Sequence, residues 1–73
     1  MTTTEQTVEV RINGSARQVP AGLDVAGLLG HLNLLPGMVV VEHNGTILRR
    51  EGLAAAEVRA GDNLELVHFV GGG

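Results

Sequence analysis

Two sets of groups in this 73-residue chain have the makings of chemistry: its histidines and carboxylates, and its terminal Gly71-Gly72-Gly73. The glycines directly follow an apolar run, Leu64-Glu65-Leu66-Val67-His68-Phe69-Val70, that reads as a strand. A terminal glycine offers an α-carboxylate with no side chain beside it, on a backbone free to take almost any φ/ψ. Three extended residues reach about 10 Å past the strand, enough to enter another protein's active site. On this reading the C-terminus is itself the functional group. The other reading is a frayed end, as chain termini commonly are.

Other chemistry has little to work with. Ser15 is the only serine and falls in a turn region, where serine is common. There is no cysteine, which closes thiol catalysis, disulfides and Cys-ligated metal alike. His31, His43 and His68 are far apart and lack the HxxxH or HExxH spacing of a helical metal site. His43 and His68 are candidate cross-strand neighbours, with ordinary strand histidines the commoner arrangement. Neither GxxxxGK[ST] nor GxGxxG occurs, so no phosphate-cradling loop is present. The carboxylates read as caps, turn residues and solvated strand faces. The chain is expected not to be an enzyme by itself, with no bound cofactor and no metal.

The elements that must carry the glycine end can be read from the pattern. At this length the chain is one domain, near the lower limit for a core without staples. An apolar fraction of 44% points to a true core, built from aliphatic residues with a single aromatic one. A net charge of -3 and five scattered arginines exclude a basic nucleic-acid stripe. Apolar runs are too short to span a bilayer, and residues 1–6 lack the features of a secretory signal. Nucleic acid and membrane are therefore not expected partners, and a cytoplasmic location is the expectation.

Residues 7–13 alternate Val8, Val10 and Ile12 against Thr7, Glu9 and Arg11, the period of a half-buried strand. Asn13-Gly14 is a strong hairpin signal, and residues 15–20 form the return strand, closed by Pro20. Asp24 is the expected N-cap of a helix whose Val25, Leu28, Leu29 and Leu32 make one apolar stripe. Gly27 and Gly30 weaken that helix and suggest close approach to the sheet, and Pro36 stops it. His31 falls near its C-terminal end, where a cation is mildly favoured. Residues 38–43 open on a continuous apolar run and read as a central strand. Asn44-Gly45 repeats the hairpin signal before residues 46–49. Residues 51–58 suggest a short helical turn, and Gly61-Asp62 leads into a final strand over 63–70.

One helix covers one face of such a mixed sheet and leaves the other open. In the last strand Leu64 and Leu66 point to the core, while Val67 and Phe69 load the opposite side. Two readings of that side stand: a partner surface, or a Phe69 that either folds over the core edge or is capped by the N-terminal segment.

The element order and the terminal glycines together resemble the ubiquitin-like β-grasp sulfur carriers, and the pattern is most similar to the carriers of thiamine biosynthesis. The similarity covers 7–73 and rests on Val10-Arg11-Ile12-Asn13-Gly14, Asp24-Val25-Ala26-Gly27-Leu28-Leu29, Val39-Val40-Val41-Glu42-His43-Asn44-Gly45, Gly61-Asp62 and Val67-His68-Phe69-Val70-Gly71-Gly72-Gly73. The related small subunit of molybdopterin synthase has a proline-containing approach to its diglycine, where this chain has Phe69-Val70-Gly71. Three terminal glycines rather than two, and Gly27 at a helix position often acidic in the family, are departures.

The resemblance implies an α+β, β-grasp fold: a mixed sheet of four to five strands, one main helix packed on one face. It divides the chain into a flexible segment 1–6, the domain 7–70 and a flexible tail 71–73. It implies that an adenylating, E1-like activating enzyme uses ATP to adenylate Gly73. A sulfur donor such as a cysteine desulfurase then replaces AMP, and the Gly73 thiocarboxylate delivers sulfur to thiazole synthase. An ionised terminal carboxylate, of pKa about 3.5, is a poor electrophile, which is why activation is needed. Gly71 and Gly72 are the tether, and Val67, Phe69 and Val70 the partner-binding approach. The alternatives are a molybdopterin synthase subunit, and a ubiquitin-like modifier or tRNA-thiolation carrier.

Overall fold

The computed structural model describes residues 6–69. Five strands form one sheet: β1 (Thr7–Ile12), β2 (Ser15–Pro20), β3 (Val39–His43), β4 (Thr46–Leu48) and β5 (Asn63–His68), in the order β2-β1-β5-β3-β4. The helix α1 (Val25–His31) follows the first hairpin. β1 and β5 run parallel at the centre, and the remaining pairs are antiparallel. This is the expected α+β grasp of one helix by a mixed sheet, with five strands.

Both hairpins turn through Asn-Gly with positive φ at both residues: 52° and 84° at Asn13-Gly14, 50° and 89° at Asn44-Gly45. That geometry twists with the strands it joins, which is why the dipeptide was informative. Pro20 ends β2, an edge strand, where a missing N–H leaves no ladder bond unmade.

Asp24 caps α1 as expected: its backbone is extended and its Oδ1 accepts from the Gly27 N–H at 2.6 Å. The end of the helix differs from the sequence expectation. α1 stops at His31, well before Pro36, because Asn33 takes a left-handed φ of 62°. Leu34 N–H then reaches Leu29 O at 2.8 Å and Asn33 N–H reaches Gly30 O at 3.0 Å, a Schellman closure with asparagine in the usual glycine place. Pro36 instead opens a 3-10 turn over Pro36–Met38, so β3 starts at Val39 rather than at residue 38. The helical turn expected over 51–58 is a 3-10 turn at Arg50–Gly52 followed by irregular backbone. That backbone is tied to α1 by Val25 N–H to Ala56 O, Ala26 N–H to Leu53 O, and Val58 N–H to Leu23 O.

The core lies between α1 and one face of the sheet. Val25, Leu28 and Leu29 of the helix meet Val10, Ile12, Val19, Val39, Val41 and Leu64 of the sheet, closed off by Leu53 and Val58. Every one of these is aliphatic, and no polar side chain is buried among the described residues. The specification is therefore shape and pattern rather than buried polar pairing.

Candidate functional site

The candidate site is the end of β5 and the sheet face beside it. Among the described residues β5 is the last strand in sequence and has a neighbour on each side, β1 and β3. Leu64 is fully buried and Leu66 packs against the core, so the alternate residues Glu65, Val67 and Phe69 face away from α1. Val67 is 60% exposed and Phe69 48% exposed. Phe69 does not fold over the core edge; it continues the ladder, donating its N–H to Met38 O at 2.8 Å. Val70, Gly71, Gly72 and Gly73 lie outside the described residues, as does the part of the last strand expected beyond Phe69.

The register adds residues that sequence reasoning missed. Val40 stands opposite Val67, and Glu42 stands opposite both Glu65 and Ile47. Ile47 is 67% exposed and extends the apolar surface across β4. Leu35, at 68% exposure, accepts from Met38 N–H at 2.9 Å and so sits at the same end of the sheet as Phe69. For Val40, Glu42 and Ile47 the signal in the sequence was alternation within each strand; only the strand order reveals that they share a face.

β5 is clamped by the two turn asparagines. Asn13 pairs with Leu66 as a strand residue would, its Oδ1 accepting from the Leu66 N–H at 2.8 Å and its Nδ2 donating to Leu66 O at 3.2 Å. On the opposite side and at the opposite end, Asn44 Oδ1 accepts from the Asn63 N–H at 2.8 Å. The root of the glycine end is thus held by a side chain 53 residues away in sequence.

The histidines are not brought together as a strand pair. His43 lies opposite Leu64 and His68 opposite Val39, because β5 runs antiparallel to β3. His68 and His31 line one surface depression with Arg17, at the end of α1. His43 Nε2 meets Asp62 Oδ2 at 2.8 Å, both side chains mostly buried. Asp62 also accepts from the Arg59 N–H at 2.9 Å and from Asn44 Nδ2 at 3.2 Å. Burial pushes the Asp62 carboxyl up, but its hydrogen bonds from His43, Arg59 N–H and Asn44 prevail and hold it below the usual range. This network joins two turns at the end of β5 remote from Phe69, so it is structural. Among the described residues no group of three or more histidine or carboxylate side chains is placed to hold a metal. No helix there is long and apolar enough to cross a membrane.

A five-stranded mixed sheet with parallel central strands and one helix in its grasp defines the ubiquitin-like β-grasp class. The ThiS family model matches residues 10–73. The crystal structure of the thiamine biosynthesis protein ThiS from Geobacter metallireducens is 37% identical, covers 90% of this chain and 100% of its own, and superposes with a TM-score of 0.75. The solution structure of a thiamine biosynthesis protein from the same organism is 36% identical, with 90% and 88% covered and a TM-score of 0.76. Thiazole synthases are similar too: that of Magnetococcus marinus is 35% identical over 66 residues, 90% of this chain and 20% of its own. That of Paramagnetospirillum magneticum is 42% identical over 62 residues, 85% of this chain and 19% of its own. The chain thus spans about a fifth of the length of these relatives. It belongs to the ThiS family of β-grasp sulfur carriers.

Proposed function

We propose that this chain carries sulfur for thiazole formation in thiamine biosynthesis, with Gly73 as the reactive residue. The observation that carries the reading is the joint placement of family pattern and geometry. In the sequence Gly71-Gly72-Gly73 follow a clamped central strand that has an exposed apolar face beside it. The family match runs through residue 73, and the relatives point to thiazole synthase as the acceptor enzyme.

In this scheme a carboxylate oxygen of Gly73 attacks the α-phosphorus of ATP in an adenylating enzyme, and pyrophosphate leaves. The persulfide sulfur of a donor such as a cysteine desulfurase attacks the acyl adenylate and displaces AMP to give an acyl disulfide. A thiol then cleaves its S–S bond, ending as a disulfide with the donor sulfur and releasing the Gly73 thiocarboxylate. Its sulfur is a soft nucleophile that thiazole synthase takes up. The chain is a co-substrate of partner enzymes, working in the cytoplasm and holding no cofactor; the ATP belongs to the activating enzyme. Gly71 and Gly72 form a tether narrow and pliable enough for two different active sites. Val67, Phe69 and Val70 form the approach that docks on a partner, and Gly72→Val blocks entry sterically.

Reconstitution with activating enzyme, sulfur donor and thiazole synthase tests the reading. Gly72→Val is expected to abolish thiazole formation with the fold intact. Phe69→Asp is expected to lower it at least tenfold, about 1.4 kcal/mol of docking energy. Parent-level thiazole formation by Gly72→Val contradicts the tether role.

A further inference from the structure

The open face holds an arrangement from which the fold gains nothing. Glu42 and Glu65 are direct cross-strand partners in the β3–β5 ladder. Both lie on the face away from α1, since Val41 and Leu64 beside them are buried in the core. Like charges directly opposite one another destabilise a sheet. No internal cation relieves them: the ion pairs among the described residues are His43–Asp62 and Arg59–Glu57. Arg11 shares their face, yet its Nη1 donates to Gly14 O at 3.0 Å. Apolar groups frame the two carboxylates, with Ile47 opposite Glu42, and the Val40–Val67 pair one step along toward Phe69.

This mixture narrows what can cover the face. A second copy of the chain, docked face to face about a two-fold axis, would bring four carboxylates together. An anionic lipid surface or nucleic acid is repelled by the same charges. A partner surface that is only apolar would strip water from both glutamates and leave them uncompensated, a costly outcome. A surface presenting a cation within an apolar patch meets every requirement, because it compensates two carboxylates that the β3–β5 register sets directly opposite one another.

We propose that the face docks a protein surface on which an arginine or lysine stands among apolar side chains. The cation seats between Glu42 and Glu65 while Val40, Ile47, Val67 and Phe69 exclude water around it. The partner bearing that surface is thiazole synthase, an assignment that rests on the function proposed above. Glu42 and Glu65 then act as specificity residues, favouring a matching cation and penalising surfaces without one.

The test is titration of purified thiazole synthase with the parent, Glu42→Gln/Glu65→Gln, Glu65→Gln and Phe69→Asp carriers across a salt series, alongside thermal melting of each carrier. The double glutamine variant is expected to melt at a higher temperature than the parent, since the repulsion is gone. Its affinity for thiazole synthase is expected to fall about tenfold or more and to lose most of its salt dependence. Glu65→Gln is expected to show the same pair of changes in smaller measure. Parent-like affinity and salt dependence in the double variant overturn the cation inference. If Phe69→Asp weakens binding in that case, the docking face stands and only the glutamate role falls. If Phe69→Asp also binds as the parent does, the docking reading itself fails, and this inference with it.

Discussion

Asp62 concentrates three hydrogen bonds on one carboxylate, from His43, the Arg59 N–H and Asn44. Its pKa in the folded state lies below the ordinary range, so the folded state holds this proton less tightly than the unfolded chain does. The stabilisation is fully present above the unfolded carboxylate pKa and is lost as pH falls through the lower folded value. Thermal melting from neutral to acid pH should therefore show stability dropping below about pH 4, and Asp62→Ala should flatten part of that drop. Removing this partner is expected to destabilise the domain at pH 7 by about 1–3 kcal/mol. An unchanged acid profile in Asp62→Ala would contradict the assignment. The helix glycines make a second case at this scale. A Cβ at Gly27 would press on Asp24 Oδ1 at 3.2 Å and Leu23 Cδ2 at 3.3 Å, so the close approach there is to the cap, not to the sheet. A Cβ at Gly30 meets nothing within 4 Å. Gly30→Ala should accordingly stabilise the domain by up to about 1 kcal/mol, read as a higher urea midpoint with an unchanged slope.

Among the elements, β5 depends most on distant residues. Asn13 serves twice, taking a positive φ in its turn and closing both backbone groups of Leu66 with its amide. Asn13→Gly keeps the turn and removes both bonds, so it separates the two roles. It is expected to cost about 1–2 kcal/mol and to speed amide exchange at Leu66 more than in the β1–β2 hairpin. Equal exchange at both places would mean that the clamp carries no weight. The sequence made the turn role legible, because Asn-Gly between alternating strands has a backbone reason. The clamp was invisible, since it needs the parallel β1–β5 pairing, and nothing local encodes a partner 53 residues away. The same limit explains His43: its spacing suggested His68 across the ladder, whereas antiparallel register delivered Leu64 opposite it and Asp62 alongside. The end of α1 was misread for another reason. Pro36 is a strong stop signal, but Asn33 entered the left-handed region first and closed the helix.

For the whole molecule, a small aliphatic core must hold the sheet that carries the proposed docking face. Leu64 sits at zero exposure in that core while Val67, on the same strand, and Phe69, just past its end, are exposed. Leu64→Ala should cost about 2–5 kcal/mol and leave so small a domain partly unfolded at 37 °C, visible by circular dichroism. That outcome would separate loss of platform from loss of docking, since Phe69→Asp is expected to keep the fold. Fold class was legible at this scale because alternation, two Asn-Gly turns, one capped helix and the order of elements all agreed. Which exposed side chains share a face with Val67 became visible only with the strand order. Intact-mass measurement after incubation with ATP, activating enzyme and sulfur donor is the sharpest test of the proposal that Gly73 accepts sulfur. The expected result is a mass gain equal to replacing one oxygen by sulfur, localised to Gly73 by fragmentation and absent without ATP. An unchanged mass in a reaction whose activating enzyme is shown to be competent, or sulfur found elsewhere on the chain, would contradict it.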